Sequence, residues 1–158
     1  NKEEIQSTIT LSLIERLCDM SLYFRWCHPA TWGDWSHIAF GGLPPVVRWI
    51  LGYFVRSGVK KQCYASGIAR YPSDELLDSA RELLNALQAQ LGHHKYFGGD
   101  KFRPIDAAAY GLLAQLILVP LPSSPLQRLA CQYDPLVTYV KHVHAHLGYT
   151  PNSHALKQ

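Results

Sequence analysis

Apolar positions recur at three- and four-residue intervals along most of the chain, and no stretch alternates as a strand would. Over 3–26, Ile5, Ile9, Leu13, Ile14, Leu17, Cys18 and Met20 fill a broad apolar side, with Thr8, Ser12, Glu15, Arg16 and Asp19 opposite. At about 100° per residue, Tyr23 and Trp26 land on that polar side. A large aromatic there needs a cleft to line, or a loop to cap. The passage 27–42 reads as loop-rich, because Pro29 and Gly33 interrupt any period. Trp32 and Trp35 sit in it, and either fold back onto the body or line a cleft. Pro44 and Pro45 open a helix in which Val46, Val47, Ile50, Leu51 and Phe54 keep helical spacing, with a break or kink at Gly58 and a continuation to Tyr71. Apolar residues cover most of its circumference, which predicts a buried helix with a basic end. A helix lying on a membrane surface over 46–61 is the alternative.

Ser73 reads as an N-cap, followed by Asp74 and Glu75 in the first turn. Leu76, Leu77, Ala80, Leu83, Leu84, Leu87 and Leu91 then form a regular stripe ending at Gly92. A second start lies at Pro104, with Asp106 in the first turn near unpaired amides. Over 107–119 only Tyr110 and Gln115 carry polar side-chain atoms, so a helix buried on every side is expected, stopped by Pro120. Its small residues Ala107, Ala108, Ala109 and Gly111 suit close helix approach. Ser124-Pro125 starts a short helix to about Gln132. Asp134-Pro135 starts the last one, with Leu136, Val137, Val140, Val143 and Leu147 as its stripe and Gly148 as its stop. The polar stretch 150–158 reads as a tail. The pattern predicts an all-α domain over 1–150 around a central helix.

At 158 residues, 47% hydrophobic and 17% charged, the chain can bury a core of its own. The net charge of +3 is thinly spread, densest at Arg56, Lys60 and Lys61, so no nucleic-acid partner is expected. Cys18, Cys27, Cys63 and Cys131 lack zinc or C-x-x-C spacing, and their apolar contexts suggest buried, reduced thiols and a cytoplasmic setting. No apolar run reaches the roughly 18–20 residues of a membrane span, and no membrane partner is expected. The chain opens on Asn1 rather than Met, as a piece of a longer protein would.

The run YFGG-D-x-x-x-P-x-D-A-A-x-Y-G-x-L-A-Q over 96–115 resembles the core helix of the C-terminal, all-helical domain of the glutathione transferase fold. Upstream, GIARYPSDELL and LNALQAQLG resemble more narrowly the branch containing metaxins and failed-axon-connections proteins. The resemblance implies a multi-helix bundle in which Asp106 caps the core helix and holds the loop before it. Arg103 stands where the family usually places Ser or Thr, so only the Asp106 half of the capping pair carries over. It also implies a thioredoxin-like N-terminal partner domain, absent from this chain. That domain would supply the thiol-activating residue and the glutathione contacts, so glutathione is expected as cofactor only when it is joined. By the same analogy Asp19, Tyr23 and Trp26 line a cleft for a hydrophobic small molecule, closed by Trp32 or Trp35. A homodimer is among the partners implied.

His142 and His146 lie one turn apart, but no third ligand stands at a recognisable spacing; these residues and His144 read as the basic end of a helix. His93 and His94 read as polar surface. There is no G-x-S-x-G, P-loop or H-E-x-x-H run, and no catalytic residue is assigned. Three functions stay open: an interaction and ligand-binding module that is not itself a catalyst, a piece of an active transferase for hydrophobic electrophiles, or a metaxin-like role in protein assembly at the mitochondrial outer membrane.

Overall fold

A computed structural model describes residues 2–148; the tail expected over 150–158 lies outside them. The described residues form seven α-helices and no strand: α1 (Lys2–Trp26), α2 (Pro29–Phe40), α3 (Pro45–Ala65), α4 (Ser73–Leu91), α5 (Pro104–Ile117), α6 (Pro125–Ala130) and α7 (Asp134–His146), with a 3-10 turn at Ile68–Arg70. The chain folds as the all-α bundle the pattern predicts. One continuous core joins α1, α4, α5, α6 and α7 through Leu17, Phe24, Leu84, Leu87, Leu113, Leu126, Val140 and Val143.

Four corrections follow from how the helices sit. The passage 27–42 is helical, because Pro29 occupies the first helical position, where its missing N–H costs nothing, and Gly33 is tolerated inside. Gly58 does not break α3. Ser73 is the first residue of α4 rather than its cap, and Pro72 precedes it. Ile14, Leu17 and Met20 of the expected apolar side of α1 are buried, but the core face also takes Thr10, Ser21 and Phe24, while Ile5, Ile9 and Cys18 are exposed. Thr10 tolerates burial because its hydroxyl donates to the Gln6 carbonyl at 2.9 Å within its own helix.

The central helix α5 buries Ile105, Asp106, Ala109, Leu112, Leu113 and Leu116. It is not buried all round, since Ala107, Gly111 and Gln115 form an exposed stripe at four-residue steps. Gly111 has no neighbour within 4 Å of the position a Cβ would take, so it mediates no close approach.

Asp106 is fully buried. Its carboxylate accepts from the Phe97 amide at 2.6 Å, the Gly98 amide at 3.2 Å and the Arg103 amide at 3.0 Å. The Tyr139 hydroxyl of α7 lies 3.2 Å from Oδ1 and 3.1 Å from the Asp106 carbonyl. Burial, and then the neighbouring carboxylate, push the Tyr139 phenol well above its ordinary range, so it stays a donor. The loop closes as a turn in which Tyr96 and Gly99 exchange backbone bonds of 3.2 and 3.0 Å, with Gly99 at φ 90. A Cβ on Gly98 would lie 2.7–2.9 Å from the Arg103 side chain, so glycine is required there.

From sequence, losing a helix cap costs about 0.5–2 kcal/mol. A buried carboxylate serving three amides and a phenol raises that expectation. Asp106→Ala should cost about 3–5 kcal/mol by urea denaturation, and Tyr139→Phe about 1 kcal/mol. A loss under about 1 kcal/mol for Asp106→Ala would mean that the loop is held by its turn alone.

Candidate functional site

The C-terminal end of α1 carries Trp26 to where α2 crosses it. Its ring lies 5.9 Å from Trp32, 5.7 Å from Trp35 and 6.1 Å from Phe40, the latter two edge-on, as ring quadrupoles favour. The three tryptophans singled out in the sequence therefore meet, and two of them do so because 27–42 is a helix rather than a loop. Asp19 is exposed, and Tyr23 packs on the core, edge-on to Phe24 at 5.3 Å. Those two do not join the cluster.

Two arginines that sequence reasoning missed clamp it. Arg25 lies 5.0 Å over Trp35 and donates to the Gln115 side chain at 2.8 Å and the Gln115 carbonyl at 2.6 Å. Arg56 lies 4.5 Å over Trp32 and donates to the Trp26 carbonyl at 2.9 Å. Burial lowers the Arg25 pKa, although arginine remains charged. No pattern in the sequence signals these contacts, which span 90 residues for Arg25 and 30 for Arg56.

Beside Trp32, on the α2–α3 side, lies an open groove of about 580 Å³ lined by Trp32, Ser36, Pro45, Arg48, Trp49, Tyr53, Arg56, Ser57 and Lys60. It pairs aromatic walls with three cations. The expected burial of α3 fails here: Gly52 and Cys63 are its only buried residues, while Val46, Val47, Trp49, Ile50, Leu51, Tyr53 and Phe54 are exposed. Circumferential hydrophobicity predicts a cover, and α1 and α2 supply it on one side only.

The cysteines are also less uniform than expected. Cys63 is buried, Cys27 half-buried, and Cys18 and Cys131 exposed. Burial first, then the Cys27 thiol beside it, push Cys63 up to about 12; burial also raises Cys27 and Cys131. Thiols held protonated are poor nucleophiles. The α7 histidines engage aromatic residues: His142 Nε2 lies 3.2 Å from the Tyr96 hydroxyl and His144 Nδ1 2.6 Å from that of Tyr110. The His146 ring lies 6.1 Å from Tyr96 and from Phe102. Among the described residues no three His, Cys, Asp or Glu side chains are grouped to hold a metal.

Residues 80–143 match the glutathione S-transferase C-terminal domain. Metaxin-2 of Homo sapiens is 26% identical over 149 residues, which cover 91% of this chain and 57% of that protein. The metaxin-1 homolog of Caenorhabditis briggsae is 41% identical over 69 residues, 44% of this chain and 22% of that protein. Metaxin-3 of Danio rerio is 38% identical over 65 residues, 41% of this chain and 21% of that protein. The chain thus spans little more than half the length of the metaxin-2 it matches. No solved structure matches it significantly. Residues 80–143 thus carry the match to a glutathione S-transferase C-terminal domain, within an all-α fold of the kind that domain has. Within that class the chain is similar to metaxins, over 91% of its length for metaxin-2 and over 44% for the metaxin-1 homolog.

Two measurements check the site. Trp26→Ala should cost about 3 kcal/mol, as truncation of a packed aromatic does, because its ring serves three neighbours; a loss under about 1 kcal/mol would make the cluster a surface ornament. Timed alkylation with iodoacetamide, read by mass spectrometry, should modify exposed Cys18 first and Cys63 last. Early labelling of Cys63 would mean that α3 opens from α1.

Proposed function

We propose that the chain is the helical half of a metaxin-type protein and works as an interaction module in protein assembly at a mitochondrial outer membrane, without catalysis of its own. The observation that carries the reading is the length of the metaxin-2 match, 91% of the chain, which includes the α2–α3 region as well as the core helices. The site chemistry supports it. The tryptophans expected to line a small-molecule cleft pack against one another, tilted and edge-on, and are clamped by Arg25 and Arg56. The thiols of Cys27 and Cys63 are held protonated. The exposed large apolar residues of the domain concentrate on the first turns of α3, as suits recognition of something large. A thioredoxin-like N-terminal domain is the partner that the fold implies.

The groove beside Trp32 keeps the transferase reading specific enough to test. Incubated with glutathione and a generic aromatic electrophile, the chain should give no turnover above buffer. Expressed in cells with a tag, it should sediment with mitochondria. Glutathione-dependent conjugation would replace the assembly role with a catalytic one, and a wholly cytosolic distribution would remove the metaxin-type role.

A further inference from the structure

The α2–α3 hairpin is where the fold leaves its largest physical debt. The C-terminal half of α3 lies against the end of α1, with Arg56 bonded to the Trp26 carbonyl and Cys63 beside Cys27. The first ten residues of α3 continue past that end, with α2 for company. Val46 is 69% exposed, Trp49 73%, Tyr53 65% and Phe54 68%, with Val47, Ile50 and Leu51 exposed between them. Ile38 of α2 is exposed near the same tip. At about 100° per residue, the exposed apolar positions of α3 sweep an arc of about 200°. A helix seated in a protein groove presents a stripe of about 100°. Half of this arc would stay wet against such a partner, whereas a fluid apolar phase wets all of it.

Charge points the same way. Between Pro29 and Ala65 the one acidic residue is Asp34, against Arg48, Arg56, Lys60 and Lys61. Lys60 and Lys61 follow the apolar segment by one to two turns and are exposed. Arg48, inside the apolar segment, is folded back: its guanidinium donates to His37 Nδ1 at 2.8 Å and to the Leu43 carbonyl at 3.4 Å. Trp49 and Tyr53 are residues that favour the boundary between hydrocarbon and water. No single described helix is long and apolar enough to cross a membrane, but α2 and α3 together carry a span's hydropathy, bent by 118° between them. Residues 45–54 extend about 15 Å, half the hydrocarbon thickness of about 30 Å. Any segment joined ahead of Lys2 enters at the other end of α1, about 36 Å from Trp26.

From these observations we infer that the tip of the α2–α3 hairpin inserts into one leaflet of an anionic lipid surface, with Val46–Phe54 among the acyl chains and Arg56, Lys60 and Lys61 at the phosphates. The inference replaces the buried helix expected from sequence with a helix in contact with lipid, inserted at its tip rather than lying along the surface over 46–61. It does not depend on the metaxin-type role, because it needs only lipid and this chain.

Flotation of the full chain with extruded vesicles tests it, since aggregates sink. The chain should float with phosphatidylcholine vesicles containing about one third phosphatidylserine, and about tenfold less with phosphatidylcholine alone. Trp49→Glu combined with Phe54→Glu should abolish flotation with an unchanged melting temperature, because both positions are exposed in the fold. Lys60→Glu combined with Lys61→Glu should weaken binding about tenfold and erase the lipid preference. Absence of flotation with both vesicles would overturn the inference. So would flotation that survives the Trp49/Phe54 pair, which would reduce the contact to charge alone. A dimer dissolved by that pair, without any flotation, would give the face to a second copy of this chain.

Discussion

The carboxylate of Asp106 is the point through which the bundle is assembled. It sits at the start of α5 and faces in three directions at once: back to the turn at Phe97 and Gly98, sideways to Arg103, and across to Tyr139 of α7. A buried anion is tolerated only when its hydrogen-bonding capacity is used. That requirement fixes the register of the loop against the helix. The glycine at 98 belongs to the same turn: its amide reaches the carboxylate, and the Arg103 side chain lies where a Cβ would stand. The histidines of α7 continue the same seam, since His142 meets Tyr96, and His146 meets both Tyr96 and Phe102.

Around this seam the molecule divides into a core and an appendage that share α1. The inner face of α1 belongs to the core through Ile14, Leu17 and Phe24. Its C-terminal end belongs to the appendage through Trp26 and the carbonyl that Arg56 engages. Arg25 stitches the two, with one side on Trp35 and the other on Gln115 of α5. The division separates a packed bundle, which carries the core, from a hairpin that leaves apolar residues exposed.

The regular stripe of α4 and the capped start of α5 were legible because both rest on local rules: leucines at fixed spacing, and an acid where amides are unpaired. Other features were not local. Alanine and glycine count as apolar whether covered or not, so the open stripe of Ala107, Gly111 and Gln115 reads like a buried one. Pro29 carries the same letter whether it breaks a helix or begins one; only the next turn, with Trp32 and Trp35 in register, tells the two apart. The apolar residues of α3 announced the need for a cover without saying that the other described residues leave them exposed. Among the candidate site residues the tryptophans were found by their cost in water, whereas Arg25 and Arg56 were invisible because their partners are distant in sequence.

The sharing of α1 has a consequence for motion. Amides in the early turns of α3 are shielded by their own helix and little else, so they can exchange with solvent through openings that leave α4, α5 and α7 closed. Exchange measured amide by amide would then separate the first turns of α3 from the helices that the Asp106 seam holds together.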